Sequence, residues 1–286
     1  MPELPEVQAH AERLTASFAG LRLQRFVPLT FTALKTVAPR PDDAYGLPLE
    51  RVGRRGKYLL LEFPPVTFVV HLMQGGRLHV DAKQSAKPRG GQARFVFEPS
   101  DDDPTPPALL LTEQGSERRA GVWCVPTGRA LTSPPLDSLG PDADTLGGDE
   151  LAELLAAAPS TRIHGWLRDQ HRVAGVGRML ANEICHRAKI SPFAMSRKLG
   201  DGGAAAIAAA MAEAIADGLA VEREREAMSS SKERPSRVHH RTGESCPVCG
   251  DTIRAVEYSS HTVNYCPTCQ TGGKILADNT TSKFLK

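Results

Sequence analysis

The chain has 286 residues, 41% hydrophobic and 24% charged, with 25 Gly and 22 Pro spread along it. That composition excludes fibrous and disordered classes and supplies at least one sizeable core, with two domains the default. The formal charge of +2 excludes recognition of a polyanion by bulk charge, although residues 160–286 hold 18 Lys and Arg against 13 Asp and Glu and residues 1–159 hold 17 against 20. This uneven charge reads by itself as ordinary solvated faces, so motifs must carry any nucleic-acid reading.

The opening MPELPEVQAHAERL lacks a basic start followed by an apolar core. No stretch is read as long enough to span a bilayer, and a cytosolic protein with no membrane partner is expected. Val7, Ala11, Leu14 and Phe18 share one helical face, with Pro5 suited to the first turn. Short apolar runs follow between turn residues: LRLQRFV, KYLLLEF, VTFVVHLM, RLHV, RFVF, ALLL and GVWCV. Their spacing predicts a β-sandwich or barrel. From about residue 137 the pattern becomes helical, with DELAELLAAA, the segment 166–188 and GAAAIAAAMAEAIADGLA. A polar stretch, REREREAMSSSKERPSR, reads as a loop, as do AKQSAKPRGGQ and EPSDDDPTPP, which are assigned no function.

Of six cysteines, Cys124 and Cys185 stand alone in apolar surroundings. The other four form CPVCG and, after sixteen residues, YCPTC. Each CxxC pair presents two thiolates from a tight turn, and a hairpin between them lets Cys246, Cys249, Cys266 and Cys269 wrap one tetrahedral zinc ion. Four sulfurs leave no open coordination position, so the metal is expected to be structural. The alternative, two redox dithiols, is disfavoured because neither pair is expected at a strand-to-helix junction. His239 and His240, just before the first pair, are read as loop or DNA-facing residues.

MPELPEV, the lysine of GRRGKYLLLEF, DQHRVAGVGRMLANEI and the ribbon ending YCPTCQTGGKILAD together resemble the formamidopyrimidine-DNA glycosylase and endonuclease VIII family, in the right order over essentially the full chain. The resemblance implies an α+β protein: an N-terminal helix and two-layered β-sandwich (1–130), a helix-two-turn-helix module (131–228), a loop (229–240) and a four-cysteine zinc finger (241–286). It also implies a bifunctional DNA glycosylase and abasic-site lyase of base excision repair, a monomer acting on damaged double-stranded DNA held between the domains. The alternative is a lesion- or abasic-site-binding protein of the same fold with little base-excision activity.

For that chemistry the first residues make physical sense. Removal of Met1 exposes the secondary amine of Pro2, and an α-amino group titrates near pH 7.7–8.0, so a useful fraction is neutral. Its attack on the sugar C1′ gives a cationic iminium that acts as an electron sink for elimination. Glu3 is the proposed acid and base. By resemblance, Lys57 contacts the phosphate and lesion region as a proton donor, and Glu6 supports the helix start. Gly175 and Gly177 let a turn bring backbone N–H groups close to phosphate.

This sequence departs from the family pattern at several positions. Arg178 stands where Asn is usual and still binds phosphate with a longer reach. Asn182 replaces an acid, with Glu183 beside it. HLMQGG and SERRAG stand where the family carries residues that fill the gap left by an extruded base. They place Gln74 at the Met position with Met73 adjacent, Arg118 at the Arg position and Ala120 at the Phe position. His261 takes the place of the finger Arg, either gripping phosphate or packing in the hairpin.

Overall fold

A computed structural model describes residues 1–99, 104–115, 118–228, 230, 233–258 and 261–276. The chain divides into two compact units, Met1–Ser138 with Arg225–Ser229 and Leu139–Glu224 with Ser230–Lys286. Parts of the loops EPSDDDPTPP, SERRAG and REREREAMSSSKERPSR lie outside the described residues.

The first unit opens with helix α1 (Leu4–Phe18), which buries Leu4, Val7, Ala11, Leu14 and Phe18, the face that the periodicity predicts. Eight strands follow: β1 (Leu23–Pro28), β2 (Arg51–Arg55), β3 (Tyr58–Phe63), β4 (Val66–His71), β5 (Gly76–Val80), β6 (Gly91–Phe97), β7 (Ala108–Glu113) and β8 (Gly121–Pro126). They pair antiparallel into two four-stranded sheets, β1-β6-β7-β5 and β2-β3-β4-β8. Phe68 of the second sheet meets Phe26 and Phe95 of the first at centroid distances of 5.5 and 5.2 Å, so the two inner faces share one aromatic core. The two-layered sandwich is thereby realised. Strand β2, of sequence RVGRR, has no apolar run to announce it. Its one buried apolar side chain is Val52, whose N–H donates to Thr15 Oγ1 of α1 at 2.8 Å.

The second unit holds α2 (Gly148–Ala157), α3 (Ile163–Arg168), α4 (Arg178–Arg187) and α5 (Gly200–Arg223), then a hairpin of β9 (Arg254–Glu257) and β10 (Thr262–Tyr265) closed by α6 (Pro267–Thr271). The helical segment 166–188 is two helices joined by the Gly175–Gly177 turn. One expectation is corrected here. The 24-residue α5, which contains an 18-residue window of mean hydropathy 1.6, is long and apolar enough to cross a membrane by length and composition. It instead buries Ile207, Met211 and Ile215 and packs against α2 and α4, as a core helix does.

Candidate functional site

Glu3 caps α1, and Glu6 Oε2 accepts the Glu3 N–H at 2.7 Å, a reciprocal capping arrangement that fixes the first turn. Both carboxylates are buried, at 3% and 0% exposure. Pro2 is buried just before them. Lys57, 8% exposed, sits in the tight turn from β2 to β3, where Gly56 takes φ +55. The N-terminal amine, carried here by Met1, is lowered from its ordinary value chiefly by burial and also by the charges of Arg77 and Lys57, against the raising effect of Glu3 and Glu6. Pro2, Glu3 and Lys57 therefore share one electrostatic neighbourhood. Arg77 joins them without any sequence motif to point to it.

The loop after β4 turns sharply. Met73 adopts φ +53 and packs against the core, Gln74 is exposed, and a Cβ on Gly76 would lie 2.1 Å from the Leu72 carbonyl oxygen, which requires glycine there. Before β8, Glu113 Oε2 accepts the N–H groups of Arg119 and Ala120 at 2.5 and 2.6 Å. Arg118 is exposed beside this anchor. Ala120, at the position where the family carries Phe, is 1% exposed and belongs to the hydrophobic core.

In the second unit, Gln170 splints the turn before α4. Its Oε1 accepts the Gly175 N–H at 3.0 Å and its Nε2 donates to the carbonyl of Val176 at 2.9 Å. Gly175 takes φ +101. Gly177 is the N-cap of α4 and Arg178, its first residue, is exposed, so the helix start and a guanidinium converge. His261 lies flat against Tyr258 (4.7 Å, 6°) and parallel to buried His164 (6.4 Å, 4°). Burial, then Arg168 and Arg178, lower its pKa, so three basic side chains gather here. Arg168, Tyr258 and His164 escape sequence reading because only the fold brings them to His261.

Farther along α4, Glu183 turns inward. Its Oε2 accepts the N–H of Arg237 at 2.8 Å and its Oε1 accepts those of Val238 and His239 at 3.0 Å each. Neighbouring Asn182, fully buried, bonds His239 Nδ1 at 2.8 Å. His239 is itself 7% exposed, and it packs on His240 at 4.1 Å, which makes the pair part of this anchored loop.

The four predicted cysteines converge. Cys246 and Cys269 sulfurs lie 3.9 Å apart and Cys249 and Cys266 sulfurs 3.4 Å apart. Tetrahedral zinc with bonds of about 2.3 Å needs sulfur edges of roughly 3.8 Å, so the donor set fits such an ion. Cys266 follows β10 and caps α6, so the second pair does sit at a strand-to-helix junction, against expectation. The meeting of all four thiols, rather than the absence of that junction, is what argues against a redox pair. His186 of α4 lies within 4.8 Å of Cys246, Cys266 and Cys269 as a further potential ligand. Cys124 and Cys185 are buried and pushed up to about 12 by burial, which makes them inert thiols.

Comparison with known proteins matches residues 1–105 to the formamidopyrimidine-DNA glycosylase N-terminal domain and residues 138–231 to the H2TH domain of the same family. A formamidopyrimidine-DNA glycosylase of Methylococcus capsulatus is 33% identical over 94% of this chain and 100% of its own length. A Mycobacterium tuberculosis protein described as an uncharacterized formamidopyrimidine-DNA glycosylase-like protein is 44% identical over 54% of this chain and 98% of its own. Among solved structures, the Lactococcus lactis formamidopyrimidine-DNA glycosylase bound non-covalently to DNA containing an abasic site superposes with TM-score 0.78 at 20% identity, covering 94% of this chain and 99% of that one. MutM in complex with DNA containing carbocyclic 8-oxo-G gives 0.79 at 20% identity, over 94% and 100%.

Proposed function

The chain belongs to the formamidopyrimidine-DNA glycosylase family, a family of DNA glycosylases with abasic-site lyase activity, and we propose that it excises oxidised bases from damaged double-stranded DNA and then cleaves the abasic strand. The observation that carries the reading is the N-terminal amine, lowered by burial and set among Glu3, Glu6, Lys57 and Arg77. With Met1 removed, the Pro2 nitrogen becomes that amine. Its lone pair attacks C1′, the C1′–N bond breaks, and the base leaves with a proton supplied from the site. The attached amine then gives up its proton and the C1′–O4′ bond opens, with O4′ taking up a proton, to leave an iminium that drains electrons from C1′, so that Glu3 can take a C2′ proton and the 3′ phosphate departs. An amine at this place among Lys57 and Arg77 is favoured in its neutral form, the form that attacks, while Glu3 and Glu6 act in the opposite sense. Lys57 serves the phosphate and the departing base.

Gln74 and Arg118 on the first unit, and Gly177, Arg178 and His261 on the second, are assigned to the DNA. Exposed Arg178 at a helix start supplies phosphate contacts, and His261 beside Arg168 and Arg178 adds to them. Cys246, Cys249, Cys266 and Cys269 are assigned to one zinc ion, which supplies folding free energy to the short hairpin between and around them. The protein is assigned to the cytoplasm as a monomer. Burial of Ala120 favours a second reading, an abasic-site lyase with weak excision of paired bases, since that side chain cannot fill the gap left by an extruded base.

Borohydride trapping on abasic and oxidised-base duplexes tests both. Processed protein is expected to form a covalent adduct at Pro2 and to lose it in Pro2→Gly extended by a retained Met1. Equal trapping of an N-terminally extended form overturns the assignment, and trapping on abasic DNA alone selects the second reading.

A further inference from the structure

We propose that His186 is a fifth member of the thiol cluster, a positioning residue whose Nε2–H donates to the Cys246 thiolate and fastens α4 to the metal-binding hairpin. The inference rests on the zinc reading above. His186 Nε2 lies 3.3 Å from Cys246 Sγ, across 60 residues of sequence, and the ring is 2% exposed. Four thiolates around a divalent ion leave two net negative charges, and Cys246, which faces His186, is one of the two buried cysteines of the set. An N–H aimed at one sulfur offsets part of that charge and fixes the direction of its lone pairs.

The alternative, that the imidazole is itself a ligand with Cys246, Cys266 and Cys269, all within 4.8 Å of it, has Cys249 as its competitor, whose sulfur stands 3.4 Å from that of Cys266. Nδ1 is buried with no hydrogen-bond partner among the described residues. The contact through Nε2 is therefore what accounts for keeping this ring in the interior. A second tie runs parallel to it, from Gln270 of α6, whose Nε2 donates to the Ile190 carbonyl at 3.0 Å while its Oε1 accepts the Cys266 N–H at 2.8 Å. The thiol cluster is thus held to the α4 segment from both of its CxxC pairs.

The test uses the full chain loaded with zinc, its metal content checked by elemental analysis. In competition with a chromophoric chelator, His186→Phe is expected to weaken zinc binding about 10-fold or more, within the range for lost outer partners of metal ligands. His186→Gln, which keeps an N–H donor, is expected to recover most of the loss. In the unaltered protein, ring ¹⁵N shifts of His186 are expected to show a protonated Nε2 and a bare Nδ1, and the cobalt-substituted form to show four-thiolate absorption. Unchanged zinc affinity in both variants, or a metal-bound ring nitrogen with zinc retained by Cys249→Ser, overturns the inference while leaving the zinc reading intact. Protein without zinc overturns the zinc reading itself, and the inference with it.

Discussion

Two histidines are held in places where a charge is costly. His10 donates from Nε2 to the Leu78 carbonyl at 2.6 Å, and burial pushes its pKa down to about 4. His164 is buried beneath the His261 stack and pushed down to about 3, again chiefly by burial. Both folded values lie below the ordinary 6.5, so the unfolded chain takes up protons that the native state refuses once pH falls below 6.5. Stability present above that pH is lost as pH drops toward 4, by about 1.4 kcal/mol per pH unit for each group. Urea midpoints at pH 7 and pH 5 should differ accordingly, and His10→Gln should reduce the difference by about 2 kcal/mol; an unchanged difference rejects this cause. Ala120 makes a separate claim. Adding a ring to its closed position should destabilise by about 1–3 kcal/mol through overpacking, so Ala120→Phe should melt at a lower temperature and gain no activity on paired duplexes. A more active, equally stable variant contradicts its burial.

At the scale of elements, Glu183 ties a helix to a loop in the second unit. Three backbone N–H groups converge on its carboxylate. Glu183→Ala leaves them buried without an acceptor, and hydrogen bonds to charged groups contribute about 1.5–3 kcal/mol each. A loss of about 3 kcal/mol or more is expected in urea unfolding followed by Trp166 fluorescence, with faster proteolysis near residue 237; a loss below about 1 kcal/mol rejects the anchoring role. The elements themselves were legible to different degrees. Apolar runs announced β3, β4, β6 and β7, whose side chains are nearly all buried. Strand β2 was silent because Arg51, Arg54 and Arg55 surround a single buried valine. Pro2, Glu3 and Lys57 were legible as short motifs. Arg77, His164, Arg168 and His186 were not, since their partners lie far along the chain or carry no pattern of their own. The burial of Ala120 was not legible either, because its neighbours Arg118 and Arg119 are exposed and composition could not show the chain turning inward after them.

At the scale of the whole molecule, metal dependence should be confined to one region. The aromatic core of the sandwich contains no thiol cluster among the described residues, whereas in the second unit Val238 and Ile253 pack directly against Cys246 and Cys266. Chelation should therefore raise hydrogen exchange across residues 238–276 and weaken DNA binding, while amides of β3, β4 and β7 stay protected. Protection lost together in both regions, or in neither, rejects this division. Positive charge is distributed in the same selective way. Arg168 and Arg178 gather beside His261 at one spot of a nearly neutral protein, so affinity for DNA should fall with salt according to the few phosphates met there.

Helix α4 also acts as a ruler. Gly177 at its start and His186 near its end are nine residues apart, which at 1.5 Å per residue is roughly 14 Å along a rigid axis. Asn182, Glu183 and His186 must all point to the hairpin side while Arg178 points outward. Inserting one alanine after Arg178 would turn everything beyond it by about 100° relative to the helix start, although composition, charge and helix propensity would barely change. Phase along this helix, more than the identity of any one residue on it, sets where the exposed Arg178 end stands relative to the thiol cluster.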